Sequence, residues 1–164
     1  MGILDRASET ERQIIAQNWT SPPVPVGAIA NALGLEVKLT LLPPSISGEI
    51  RPSATAPSGF RININRHETK ERQRFTIAHE IGHYLLHRDK IGEGVADSVM
   101  YRSGLSNAIE AEANRVAAEL LMPRHLMAPL LEPYGNLPSE TAASALAEKM
   151  GVSLPAMKIR LGLM

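Results

Sequence analysis

Two histidines and a glutamate lie within five consecutive residues of the 164-residue chain. The segment His79–His83 has the sequence HEIGH and fits the pattern H-E-x-x-H, inside an apolar-periodic stretch that predicts a helix. On a helix, residues four apart lie about 40° apart around the axis, so both imidazoles can reach one metal ion. Glu80 would then lie beside the ion as the general base for a water molecule. A buried helix whose histidines only form hydrogen bonds is the alternative, and the helical context favours the metal site.

A tetrahedral catalytic zinc needs a third protein ligand and leaves its fourth position for water. The extended motif H-E-x-x-H-x-x-G-x-x-H would need glycine at position 86 and a ligand at 89, but this chain has Leu86 and Asp89. Asp89 is therefore a weak candidate. His87 lies about 12 Å from His79 along a helix, which is too far for both to bind one ion. We interpret His87 as a residue behind the ligands or on the surface.

A better third ligand lies on a second predicted helix, in segment 107–123. Glu112, Arg115 and Glu119 share a face on which charge pairs typical of a solvated helix can form. At about 100° per residue, the opposite, mostly apolar face carries Glu110, Ala113, Asn114, Val116, Ala117, Leu120 and Leu121. Glu110 is thus the carboxylate that points into the protein. Alternatively, Asn107 is an N-cap and Glu110 a capping carboxylate, but its place on the packing face favours a ligand.

The run RFTIAHEIGHYLLH, followed by ExxAN and then AAELLMP, resembles the ImmA/IrrE family of metallopeptidases. In the family pattern the first glutamate of ExxAN completes a gluzincin-like site, and it falls on Glu110, 27 residues after His83. Residues 24–37 look like the family's entry helix and strand, so the resemblance covers roughly residues 24–131. Val116 stands where the family usually has an aromatic residue, which we interpret as a change in packing.

The resemblance implies a zinc-dependent endopeptidase in which His79, His83 and Glu110 hold the metal and Glu80 is the catalytic base. It implies limited cleavage of a regulatory protein, often a helix-turn-helix transcriptional repressor encoded nearby. The implied setting is stress response, mobile-element control or a toxin–antitoxin-like pair. Two imidazoles and one carboxylate suit Zn²⁺, and Mn²⁺ is the alternative ion.

Such a reaction also needs a donor that stabilises the oxyanion, and the candidates are His125, Tyr101 and Tyr134. The competing hypothesis is a non-catalytic regulator that senses metal or docks on a partner and could also contact DNA. Glu80 argues against that hypothesis, because metal binding alone needs no base at this position.

Length and composition are consistent with one cytoplasmic enzyme domain over residues 1–164. The resemblance implies a metallopeptidase core at about 24–131, followed by a C-terminal helical segment at about 136–164. The chain has no cysteine, which excludes disulfides and thiolate ligands. Its 17 basic and 17 acidic residues include no basic block, which argues against nucleic acid or membrane as the main partner. Its start does not resemble a signal peptide, and no repressor-like domain is expected ahead of the peptidase.

The remaining patterns predict an α+β, zincin-like fold with helices packed around a small, mostly antiparallel sheet. Helices are expected at 8–18 and about 26–33, and strands at 35–41, near 46–50 and at 60–65. Strand 60–65 alternates with period two, and its edge could pair with an extended peptide, although an ordinary sheet strand would have the same pattern. Residues 88–106 are expected to form a loop that could cover the site.

Two C-terminal helices, at 139–150 and after Ser153, resemble a helix-turn-helix. Only Lys149, Lys158 and Arg160 are placed to contact phosphates, so a packing role is favoured over DNA recognition.

Overall fold

The computed structural model describes residues 2–97 and 107–164, with the backbone alone at residues 95–97. The α-helices in these ranges are α1 (Glu9–Gln17), α2 (Val26–Ala32), α3 (Lys70–Leu86), α4 (Asn107–Leu121), α5 (Arg124–Leu131), α6 (Glu140–Met150) and α7 (Leu154–Arg160). The strands are β1 (Glu36–Thr40), β2 (Gly48–Pro52), β3 (Phe60–Asn65) and β4 (Val95–Asp97). Short 3-10 turns occupy Ile3–Arg6, Arg88–Lys90 and Glu132–Tyr134. The α+β class expected from the sequence is confirmed.

The sheet has the strand order β1-β3-β2-β4. Strand β3 pairs parallel with β1 and antiparallel with β2, and β4 pairs antiparallel with β2, so the sheet is mostly antiparallel as expected. Of the two alternatives left open for strand 60–65, the ordinary sheet strand is confirmed, because β1 and β2 occupy both edges of β3 and exclude an added peptide strand there. The polar face of β3 is also covered, since the Asn65 side chain donates hydrogen bonds to three carbonyl oxygens of segment 42–46.

The expected loop at 88–106 is only partly a loop. Its described part forms the turn Arg88–Lys90 and strand β4, which extends the sheet beyond β2. Strand β4 has only three residues, which is too short a pattern to predict a strand. Its pairing partner, β2, lies far away in the chain. Residues 98–106, the rest of the loop that was expected to cover the site, lie outside the described residues.

Helix α3 is the central helix of the fold. Its N-terminus is capped by Thr69, whose Oγ1 accepts a hydrogen bond from the Arg72 amide at 3.2 Å. One side of α3 packs on β2 and β3, and another packs on α4. The buried face of α4 consists of Glu110, Ala113, Val116, Ala117, Leu120 and Leu121, as expected, whereas Asn114 is exposed at the edge of that face.

The two expected C-terminal helices are present, and both are capped, since the hydroxyls of Ser139 and Ser153 accept hydrogen bonds from the first turns of α6 and α7. Lys158 forms an ion pair with Glu140 at 2.7 Å, and the Arg160 Nε donates to the Met122 carbonyl oxygen. Two of the three cations considered for phosphate contact therefore have partners within the chain, which favours the packing role. No helix in the described ranges has the length and apolar character needed to cross a membrane.

Gly82 lies at a close contact between α3 and α4, where there is no room for a side chain. A Cβ atom at this position would lie 3.0 Å from the Ala113 Cα and 3.1 Å from its carbonyl oxygen. Backbone atoms of a packed helix cannot yield as the end of a flexible side chain can, so any larger residue must push the two helices apart.

We expect Gly82→Ala to lower the free energy of unfolding by up to about 2 kcal/mol, because an overpacking cost of about 1–3 kcal/mol is only partly offset by a helix-propensity gain of about 1 kcal/mol. Gly27→Ala is the matched control, since a Cβ on that helical glycine meets nothing within 4 Å. It should be neutral or stabilising by up to about 1 kcal/mol. Urea denaturation measures both changes, and equal stability of the two variants would contradict the packing argument.

Candidate metal centre

Helix α3 places His79 and His83 on one face, one turn apart. Their rings meet edge to face with centroids 4.8 Å apart. Both side chains are buried, and Glu80, which follows His79 in the helix, is buried completely. The helix therefore holds two imidazoles and one carboxylate in the packed interior, beside the contact with α4.

Glu110 enters this cluster from α4. Its Oε1 lies 3.1 Å from the His79 Nε2 and 2.9 Å from the His83 Nε2. The side chain is buried and points at the histidines, where a carboxylate that only capped the helix would face the first-turn amides. The close approach at Gly82 makes this meeting of α3 and α4 possible.

The three side chains together fit a metal ion. One ligand atom from each of His79, His83 and Glu110 lies within 4.8 Å of the other two. Zinc bound tetrahedrally at about 2.1 Å keeps its ligand atoms about 3.4 Å apart, so the cluster needs little rearrangement to hold one. Asp89, the weak candidate for the third ligand, is exposed in the turn after α3 and is not part of the cluster.

The other ring nitrogen of each histidine also has a partner. The His79 Nδ1 lies 2.8 Å from the Asn114 Oδ1, an acceptor for the Nδ1 proton that His79 carries when its Nε2 binds a metal. The His83 Nδ1 lies 3.0 Å from the His87 Nδ1. His87 is thus a buried residue behind a ligand candidate, one of the two positions that the sequence allowed.

The environment of Glu112 differs from the expectation. The sequence placed it on a solvated stripe, but its Oε1 lies 2.8 Å from the His87 Nε2 and its Oε2 forms an ion pair with Arg6. The expectation failed because Arg6 lies 106 residues away in the chain, and no local pattern indicates that the N-terminal turn covers this part of α4. The spacing of His83 and His87 was the only available signal for a contact behind the ligands.

The charges of this pair follow from its surroundings. Burial lowers the pKa of His87 because it disfavours the imidazolium, although the hydrogen bond to Glu112 acts in the opposite direction. The pKa of Glu112 is lowered by the hydrogen bond from Arg6 and then by that from His87. At neutral pH, a neutral His87 therefore faces an ionised Glu112.

The candidates for oxyanion stabilisation are not brought into the cluster. The His125 Nε2 donates to the Trp19 carbonyl oxygen at 2.9 Å, and its ring packs against the Trp19 ring, so this donor is used elsewhere. Tyr134 is exposed in the turn after α5, and Tyr101 lies outside the described residues. The identity of the oxyanion donor stays a prediction.

Comparison with known proteins identifies the family. A family model described as the IrrE N-terminal-like domain, Peptidase_M78, matches residues 37–162. The radiation response metalloprotease IrrE of Deinococcus radiodurans is 39% identical over 104 residues, which are 63% of this chain and 31% of that protein. The protein of the same name from Deinococcus deserti is 39% identical over 103 residues, which are 63% of this chain and 36% of that protein.

The chain spans about a third of the length of these curated relatives. The family match is broader in this chain, since it covers well over half of it and includes both α3 and α4. The chain therefore belongs to the ImmA/IrrE family of metallopeptidases.

Proposed function

We propose that this chain is a zinc-dependent endopeptidase that makes limited cleavages in a regulatory protein. The observation that carries the proposal is the buried cluster of His79, His83 and Glu110, with Glu80 next to it on the same helix. Membership of a metallopeptidase family supports the reaction class. The cluster supports the view that this chain retains the residues that the reaction needs.

Zn²⁺ is the ion that the donor set favours, because two neutral imidazoles and one carboxylate match its usual catalytic ligands, and Mn²⁺ is the alternative. His79, His83 and Glu110 would hold it. When bound, the ion supplies Lewis-acid chemistry that polarises the scissile carbonyl and makes water a nucleophile near neutral pH. We also propose that the pair of helices α3 and α4, with the sheet packed against α3, is a zincin-like arrangement.

Glu80 is the catalytic base in this proposal. It accepts the proton of the attacking water and delivers it to the leaving amine, so one carboxylate acts first as a base and then as an acid. Its complete burial keeps competing bulk water away from the carboxylate. A metal-binding protein without hydrolytic activity would not need a carboxylate at this position.

A groove near the proposed metal centre is the candidate substrate site. It has a volume of about 730 Å³ and runs between the first turns of α3, the middle of α4 and α7. Asn114 belongs to its lining and also contacts His79, so the groove adjoins the cluster. Its apolar lining consists of Phe75, Ala118, Met122, Val152, Leu154, Ala156 and Ile159. We propose that apolar side chains of a protein substrate bind here.

The substrate that we propose is a helix-turn-helix transcriptional repressor encoded nearby. Two similar proteins are named radiation response metalloproteases, which supports a role in a stress response for this chain as well. Mobile-element control or a toxin–antitoxin-like pair are the other settings of the same reaction. A repressor substrate also implies a cytoplasmic location.

The second candidate function is a regulator that holds metal or docks on a partner without cleaving it. It would use the same cluster and groove, and only the role of Glu80 differs. Direct DNA contact by the C-terminal helices is disfavoured, since Lys158 and Arg160 have partners within the chain.

We expect His79→Ala, His83→Ala and Glu110→Ala each to weaken zinc binding by more than 100-fold, beyond the roughly 10- to 100-fold effect of losing a residue behind a ligand. Each variant removes one of three protein ligands. Metal analysis after dialysis against a chelator measures retention. Glu119→Ala is the matched control, because this carboxylate lies on the same helix but outside the cluster, and full retention by Glu110→Ala would refute the ligand assignment.

We expect Glu80→Gln to keep the metal content of the wild type while cleavage of the neighbouring repressor falls by about 100-fold or more, since the amide cannot accept a proton. Cleavage is followed by gel electrophoresis of the purified pair. The variant should resemble a deletion in cells. If it kept the full regulatory effect of the wild type, the docking function would replace the enzymatic one.

We expect Ile159→Lys to raise KM by roughly tenfold with kcat nearly unchanged, because burying an isoleucine side chain contributes about 1.5–3 kcal/mol and this contact lies away from the reacting atoms. Ile159 is 63% exposed in the groove, so the fold should tolerate the change. Leu137→Lys is the control, as Leu137 is also exposed but does not line the groove. Equal KM values for both variants would exclude the groove as the substrate site.

A further inference from the structure

A chain of hydrogen bonds leads from His83 to the protein surface through His87, Glu112 and Arg6. No step of the proposed reaction uses the three outer residues. We propose that His87 and Glu112 are positioning residues that hold His83 in the tautomer whose Nε2 binds the metal, and that Arg6 fixes the outer end of the chain. The inference rests on the proposed role of His83 as a metal ligand.

The direction of each hydrogen bond follows from its acceptors. The Glu112 carboxylate only accepts, so the His87 Nε2, 2.8 Å from it, carries a proton and donates. When the His83 Nε2 binds the metal, a neutral His83 carries its proton on Nδ1. The His87 Nδ1, 3.0 Å away, is then the acceptor of that proton, and the two contacts together favour the His83 tautomer that the metal needs.

Because the contact between His83 and His87 is buried, this series of hydrogen bonds can control the His83 tautomer. His83 is 0% exposed and His87 is 2% exposed, so bulk water does not reach the contact between the two rings. Without the acceptor on His87, the His83 Nδ1–H would be a buried donor without its partner, and the other tautomer would gain population at the expense of metal binding. His87 itself is held by the helix end, since its amide still donates to the His83 carbonyl oxygen.

Helix α4 contributes to both ends of this arrangement. Glu110 meets the Nε2 atoms at the metal cluster, while Glu112, two residues later, holds the far side of His87. Arg6 reaches Glu112 from the N-terminal turn Ile3–Arg6, which packs on α4. His79 has a simpler support, the single exposed Asn114, so the two histidines differ in how firmly they are held.

The test measures zinc dissociation constants by competition with a chromogenic chelator, which needs no substrate. We expect His87→Phe and Glu112→Ala each to weaken zinc binding by roughly 10- to 100-fold. Phenylalanine keeps the buried ring but cannot accept the proton of the His83 Nδ1. The double variant should bind no more weakly than the weaker single variant, because the chain is already broken once.

Glu112→Gln provides the rescue, since its amide oxygen can still accept from the His87 Nε2, and we expect its affinity to stay within about threefold of the wild type. Glu119→Ala is the matched control, because the Glu119 Oε1 accepts from the Ile3 amide, so this variant loosens the same N-terminal turn without touching the chain. It should bind zinc as the wild type does.

Two results would overturn the proposal: zinc affinities of His87→Phe and Glu112→Ala within about threefold of the wild type, or additive losses in the double variant. Glu112 is partly exposed, so its variants fold and test the proposal even if His87→Phe does not. Unaltered zinc binding by His83→Ala would instead refute the ligand assignment on which the proposed function depends.

Discussion

The contact between α3 and α4 at Gly82 is the constraint on which the rest of the structure depends. In the proposed metal centre the two imidazoles of α3 provide only two ligand atoms, and the third would come from Glu110 on α4, whose Oε1 lies about 3 Å from both Nε2 atoms. Side chains of ordinary size between the helices would hold them too far apart for a glutamate to reach both Nε2 atoms. A glycine facing Ala113 removes that obstacle, so a packing detail decides whether a metal centre can form.

Burying these polar groups requires hydrogen bonds in a second layer, and the fold supplies them from different directions. Asn114 on α4 forms a hydrogen bond with His79, and His87 at the end of α3 forms one with His83. When both Nε2 atoms bind a metal, each Nδ1 donates a hydrogen bond to its partner, so these contacts favour the tautomers that the proposed site needs. They also hold the two rings in place, which lowers the rearrangement that metal binding would require.

Much of this arrangement could be predicted from periodicity. The 3.6-residue repeat placed Glu110 on the inner face of α4, and the period-two alternation of 60–65 matched the bounds of β3. Contacts between distant segments could not be predicted in this way. The tertiary fold sets the pairing of β1 with β3, which decides whether that edge is free, and the contact of Arg6 with Glu112. Neither leaves a local signal in the sequence.

The N-terminal turn has a further consequence for the extent of the catalytic unit. The family match begins at residue 37, yet Ile3 and Leu4 are buried in the common core and Arg6 contacts Glu112. Helices α1 and α2 also contribute completely buried side chains. We therefore expect the smallest fragment that folds with an intact site to be longer than the matched region. A ligand that displaced this turn from α4 would break the contact of Arg6 with Glu112 and so disturb the hydrogen bonds behind His83.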